Sequence, residues 1–347
     1  KVGFFPEWGK ARFIAMMEGR PDWCLSRQRI WGVPIPLYYC KKTGQVLDDV
    51  KIMMKIADLV ETKGGIEAYW NTPPEQLIGD FKPKGEFGSE CFVHGRDILD
   101  VWFDSGICHA VVLKRRAGMS FPADLYLEGS DQHRGWFNSS MLASQAVNGE
   151  PPYKNLLTHG FVTDSKGYKM SKSSGNGVDP MDIAKQNGAE ILRLWVASAD
   201  YGQDVPYGKE DLARVTEVYR RFRNTYRYLL GAVADFDSLK DFVSYAELTD
   251  MDQWALHQMA LLHELVTQAY DNFEFHKVYH ALNQFFTVTL SATYLDVLKD
   301  RLYTWKPNGL PRRGAQTVIF EITSMLVRLM APITTFLSEE VYSYFPG

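Results

Sequence analysis

Near residue 205 the hydrophobic pattern of this chain changes period, and that change limits the folds open to it. Upstream, short apolar runs end in polar clusters. Leu125-Tyr126-Leu127 leads into Glu128-Gly129-Ser130-Asp131-Gln132-His133, and Leu156-Leu157 into Thr158-His159-Gly160. Apolar strands that present polar groups at their carboxyl ends are how an open α/β sheet places ligand-binding residues. Downstream, apolar residues recur at helical spacing over about 208–236, 249–271, 275–302 and 313–345, with breaks near Asp235-Phe236-Asp237 and Pro307-Asn308-Gly309. Long helices with short links make a bundle. The chain thus reads as an α/β part followed by an all-α part.

Composition narrows the partners. The net charge is −4, from 38 basic and 42 acidic residues, so any nucleic-acid contact must come from local patches. The four cysteines, Cys24, Cys40, Cys91 and Cys108, form no CxxC pair, which fits free thiols in a reducing, cytoplasmic compartment. Cys40 to Gly44 and Cys91 to His94 are similar to half-sites of a zinc ribbon. Three thiolates at ribbon spacing are lacking, so no metal site is expected. No apolar run reaches 18 residues, so no membrane partner is expected either.

Several segments carry local expectations. Ala11 to Glu18 reads as a short helix. In Asp22 to Pro36, Arg27 and Arg29 lie among aromatics before Gly32, Pro34 and Pro36; they suit either aromatic stacking or contact with phosphates or carboxylates. Residues 37–95 read as an insertion: a strand at Leu37–Tyr39, a helix over about Val46–Lys63, and an irregular loop from Thr72 to Gly88. A strand over Asp97–Phe103 is expected to deliver Asp104-Ser105-Gly106, and a helix to run from about Asp131 to Val147, capped by Ser130 or Asp131. Gly188 to Val196 reads as an amphipathic helix with Ile191, Leu192, Trp195 and Val196 in the core. Arg220, Arg223 and Arg227 fall on one helical stripe, either a solvated face or a contact for a phosphate backbone. Leu229, Phe222 and Tyr226 face the core instead.

The densest functional signal is Lys169-Met170-Ser171-Lys172-Ser173-Ser174-Gly175-Asn176, after a turn and before a helix opened by Asp179-Pro180. Two ammonium groups among small hydroxyls on a loop suit a nucleotide polyphosphate; a solvated basic loop is the alternative.

This motif, Asp22 to Pro36, Asp100-Val101-Trp102-Phe103-Asp104-Ser105-Gly106 and Tyr126 to Trp136 together resemble the later half of a class I aminoacyl-tRNA synthetase, most nearly the bacterial isoleucine type. The valine and leucine types diverge in the Tyr126–Trp136 run. The resemblance covers nearly the whole chain, the helical part being similar to an anticodon-binding domain. It implies an α/β Rossmann-type half-domain (1–36 and 96–205) with an inserted subdomain (37–95), followed by an all-α bundle (206–347). It also implies ATP with Mg²⁺, isoleucine and its tRNA as partners of a monomeric parent. Lys169 and Lys172 would be catalytic. Glu128, Gly129, Asp131, Gln132, His159, Gly160, Phe161, Ser171 and Lys172 would hold ATP or adenylate. Trp102, Asp104 and Gln132 would line the amino-acid pocket, and Arg220, Arg223 and Arg227 would contact tRNA.

The chain departs from the family's pattern in what it lacks. It has no His-x-Gly-His, the family's first ATP signature, and no editing domain ahead of Asp22. The expectation is a fragment, inactive alone, whose unpaired sheet edge favours self-association. A tRNA-binding module without catalysis, or another adenylyl transferase with a lysine loop, are the competing readings.

Overall fold

The structure is a computed structural model that describes residues 1–79, 92–171 and 173–346. Lys172, Cys91 and residues 80–88 of the expected loop lie outside the described residues. The chain forms two compact units, Lys1–Leu157 and Thr158–Gly347.

The first unit runs β1 (Gly3–Phe5), α1 (Trp8–Glu18), β2 (Ser26–Arg27), β3 (Tyr38–Cys40), β4 (Val46–Leu47), α2 (Val50–Lys63), α3 (Glu67–Asn71), α4 (Pro74–Ile78), β5 (Phe92–His94), β6 (Ile98–Leu99), α5 (Val101–Gly106), β7 (Tyr126–Gly129), α6 (Trp136–Asn148) and the start of β8 (Asn155–His159). A three-stranded sheet in the order β1-β8-β7 has Phe4 opposite Leu156 in a parallel pair. Phe13, Tyr126, Phe137, Tyr153 and Leu156 form its core. Residues between β2 and β6 build their own antiparallel sheet, β4-β3-β5, and bury Tyr38, Ile52, Ile56, Tyr69, Ile78 and Phe92 in a separate cluster. Asp49 caps α2 by accepting from the Lys51 N–H, and Gly64 ends it in the left-handed region at φ 77°.

Four local expectations are corrected here. The strand read over Asp97–Phe103 stops at Leu99, because the Asp100 side chain accepts from the Trp102 N–H and starts α5; Asp104, Ser105 and Gly106 are helical. Val46 and Leu47 pair with β3 instead of opening α2. Pro74 to Ile78 is a helix within the expected loop, proline suiting its first turn and Ile78 filling the core. The helix read from Asp131 is a tight 3₁₀ turn, Ser130–Arg134, followed at Gly135 by a change of direction into α6.

The second unit runs β9 (Val162–Thr163), α7 (Pro180–Asn187), α8 (Ala189–Ser198), β10 (Val205–Pro206), α9 (Lys209–Ala232), α10 (Asp250–Asp271), α11 (Phe275–Gln284), a π-helical stretch Phe285–Tyr294, α12 (Leu295–Val297), α13 (Lys299–Tyr303), α14 (Leu310–Met330) and α15 (Thr335–Ser343). As read from the period, Phe222, Tyr226 and Leu229 are buried, against residues such as Phe286 and Leu326. On α8, Leu194 is buried and Val196 exposed, reversing the expectation for Val196: it lies about 100° past Trp195, off the inward stripe. A buried ion pair ties α10 to α13, with Asp252 accepting from Arg301 at 2.7 and 3.0 Å and from the Tyr294 hydroxyl at 2.7 Å.

Candidate active site

In the first unit β7 ends with Glu128 exposed and Gly129 buried, and the 3₁₀ turn follows. Gln132 folds back over this turn. Its Oε1 accepts from the Trp136 N–H at 2.9 Å, and its Nε2 donates to Asp131 Oδ2 at 3.2 Å. Gln132 therefore supplies the side-chain acceptor at the start of α6 that was expected of Ser130 or Asp131. Asp131 remains exposed. His133 points inward among Trp8, Phe13 and Phe137. Burial, with a smaller effect of the Arg12 charge, pushes it down to about 4, so it is a neutral core residue at pH 7.

Trp102 is 43% exposed, which separates it from the core. A Cβ on Gly135 would lie 2.9 Å from its ring and 2.5 Å from Gln132 Oε1, so Trp102, Gln132 and Gly135 meet at one place. Trp102 and Asp104 also line a cavity of about 690 Å³ with Arg27, Arg29, Trp31 and Asp100. Burial pushes the Asp104 carboxyl up, and the Asp100 charge adds to this. An indole wall beside a carboxylate suits a small molecule with an apolar body and a cationic end.

Nothing in the residue spacing signals Asp100, yet it organises this cavity. It accepts from Trp23 Nε1 at 2.9 Å and Arg27 Nη2 at 2.6 Å. Burial pushes its carboxyl up, but these donors, the Trp102 N–H and the Arg27 charge hold it below the ordinary value. Arg27 thus takes the carboxylate of the two roles open to it. The contact spans 73 positions, beyond the reach of any local pattern.

In the second unit, residues 159–161 are laced to 201–205. The Gly160 N–H donates to Tyr201 O at 2.8 Å, and the Phe161 N–H to Asp204 Oδ1 at 2.7 Å. A Cβ on Gly160 would lie 2.3 Å from Gln203 O, so glycine is required by the neighbouring backbone itself. His159 Nδ1 lies 2.7 Å from Gly160 O. The chain then forms a small hairpin: Met170 N–H donates to Val162 O, and Asp164 N–H to Tyr168 O, both at 2.9 Å. Lys169 leaves this hairpin with its Nζ 3.5 Å from the centre of the Phe161 ring, a cation–π contact. The Ser171 hydroxyl lies 2.8 Å from that of Ser174 and 3.1 Å from that of Ser173. Lys169 and Phe161 are thus brought together, while the Ser171 hydroxyl faces those of Ser173 and Ser174.

On α9 the three arginines differ. Arg223 makes a two-pronged pair with Glu340 at 2.7 and 2.9 Å, and Arg220 pairs with Glu217 at 2.5 Å. Arg227 makes no ion pair among the described residues, and with Arg223 lines a groove against Leu337 and Tyr344.

Among the described residues no group of three or more His, Cys, Asp or Glu could hold a metal ion, and no helix is long and apolar enough to cross a membrane.

The family model described as tRNA synthetases class I (I, L, M and V) matches residues 1–207, and that described as anticodon-binding domain of tRNA ligase matches residues 252–346. The isoleucine–tRNA ligase of Syntrophotalea carbinolica is 49% identical over 346 residues, covering 100% of this chain and 37% of the relative. That of Geobacter sulfurreducens is 50% identical over 346 residues with the same coverages, 100% and 37%. The chain therefore spans 37% of the length of these curated relatives. A solved structure of Mycobacterium tuberculosis methionyl-tRNA synthetase in complex with methionyl-adenylate is similar in fold, with a TM-score of 0.68, 19% identity, and coverage of 98% of this chain and 58% of that one. Matched from residue 1 to 207 of its 347 residues, the chain belongs to the class I tRNA synthetases (I, L, M and V).

Proposed function

We propose that this chain is part of an enzyme that joins isoleucine to its tRNA through an isoleucyl-adenylate. The observation that carries this reading is the identity of about 50% to isoleucine–tRNA ligases along 100% of the chain. The isoleucine carboxylate attacks the α-phosphate of ATP, forming the mixed anhydride and releasing pyrophosphate. A ribose hydroxyl at the tRNA terminus then attacks the acyl carbon and releases AMP. Neither step needs a covalent protein nucleophile, so catalysis rests on positioning and on stabilising phosphate charge. Lys169 and Lys172 take the β- and γ-phosphates of ATP, which brings Mg²⁺ as part of the substrate; removing one such donor typically costs roughly 3–4 kcal/mol of barrier. Ser171 supports the same phosphates.

Glu128, Gly129, Asp131 and Gln132 bind the adenylate, while His159, Gly160 and Phe161 form the adenine side. Trp102, Asp104 and Gln132 bind the amino acid; the exposure of Trp102 and the approach of both Trp102 and Gln132 to Gly135 support this. Such a pocket separates isoleucine from valine by only about 1–3 kcal/mol, a general range drawn in part from isoleucine–valine discrimination itself. Arg220, Arg223 and Arg227 contact tRNA phosphates. In this reading residues 1–36 and 96–205 are catalytic, 37–95 an insertion and 206–347 the anticodon-binding part of a cytoplasmic monomer; the free thiols of Cys24 and Cys108 fit that compartment.

The test is amino-acid-dependent ATP–pyrophosphate exchange by the product of the full reading frame. Exchange led by isoleucine is expected; exchange led by another amino acid, or none, overturns the reading. The 347 residues contain no His-x-Gly-His, so no exchange is expected from them alone, whereas tRNA binding that survives without ATP is.

A further inference from the structure

We infer that Asp164 and Asn176 form a brace that holds the lysine hairpin in register for phosphate binding, making them positioning residues for adenylate formation. This deepens, and rests on, the reading of the loop as an ATP clamp. Asn176 joins three parts of the loop. Its Nδ2 donates to Asp164 Oδ2 at 2.9 Å and to Lys169 O at 3.4 Å, while its Oδ1 accepts from the Ser171 N–H at 3.0 Å. The other oxygen of Asp164 accepts from the N–H groups of Lys166 at 2.9 Å and Tyr168 at 3.0 Å. The pair closes a span of 12 residues, with Lys169 and Ser171 both inside it.

The residue types matter. The carboxylate of Asp164 only accepts, and it is used on both oxygens. Its partner must donate to it and also accept from Ser171, which a side-chain amide does at once. The backbone at Lys169 is thereby fixed by the hairpin on one side and by Asn176 on the other. Its ammonium rests on the Phe161 ring, a weak contact at an exposed site. A fixed base with a loosely held charge lets Lys169 transfer to a phosphate without reordering the loop, which lowers the entropic cost of binding.

Exchanging the two side chains tests this. Asn176→Asp sets two carboxylates against each other, and Asp164→Asn pairs two amides. The double variant restores one amide donating to one carboxylate, and the carboxylate now at position 176 still accepts from the Ser171 N–H, giving up only the longer donation to Lys169 O. In the product of the full reading frame, each single variant should raise the KM for ATP about tenfold in pyrophosphate exchange, with the KM for isoleucine within twofold. The double variant should recover part of the loss, short of the parent by the donation to Lys169 O. In the 347-residue chain without ATP, trypsin cleavage after Lys166 and Lys169 should quicken several-fold in the single variants and slow again in the double. Unchanged cleavage, or a double variant no better than the singles, overturns the brace. Cleavage that responds while the KM for ATP does not overturns the positioning role and places the failure in the ATP reading.

Discussion

Glu190→Ala should release the N-terminus of α15 from α8. Glu190 is buried, and its carboxylate accepts from the Phe336 N–H at 2.7 Å, the Leu337 N–H at 3.1 Å and the Tyr219 hydroxyl at 2.8 Å. α15 has no side-chain cap of its own, so Glu190 acts as a cap supplied from another helix. Hydrogen bonds to a charged group contribute about 1.5–3 kcal/mol each. Two of the three donors are first-turn N–H groups that regain water once the helix end frays, so the net local loss is about 3 kcal/mol. That corresponds to roughly a hundredfold in the opening equilibrium. Amide hydrogen exchange at Phe336 and Leu337 reads this directly. Protection should fall about a hundredfold in Glu190→Ala, and about tenfold in Glu190→Gln, whose amide oxygen still accepts but without the charge. Arg193 should keep the link between α14 and α15 docked in both variants, since it donates to Ile333 O at 2.9 Å and Pro332 O at 2.6 Å. Protection within about threefold of the parent in Glu190→Ala would refute the reasoning.

Gly160→Ala should destabilise the second unit by about 1–3 kcal/mol, because the new Cβ meets backbone that has no rotamer to yield; a urea midpoint equal to the parent's counts against this. Arg227→Ala should reduce the steepness with which log K for tRNA falls against log salt by about 0.9. Arg223→Ala should lower it less, since Glu340 already competes for that guanidinium; equal slopes from a salt titration would remove the distinction. Burial pushes Asp252 up, but the donors Arg301, Tyr294 and Thr249 more than offset it, leaving its carboxyl below the ordinary value. Its contribution to stability is therefore full above the unfolded pKa of about 3.9 and lost as pH falls through the lower folded value. Acid unfolding of Asp252→Asn should lack that component, and a parallel pH profile would contradict the assignment.

Period and caps were legible in the chain because they are local. The helical repeat placed Phe222, Tyr226 and Leu229 in the core, and Asp179 before Pro180 marked the start of α7, where its side chain accepts from the Met181 N–H. The polar cluster after β7 and the lysine loop were visible for the same reason, since each lies within a few residues of an element's end. Tertiary structure decided what spacing cannot encode. It turned His133 into the core while leaving Asp131 outside, two neighbours that look equally polar in sequence. It gave Asp100 two long-range donors, Trp23 and Arg27, and so aimed Arg27 at a carboxylate. It also set Asn176 against Asp164. Each of these depends on which distant backbone or ring fills the space beside a side chain, and that is known only once the chain has closed on itself.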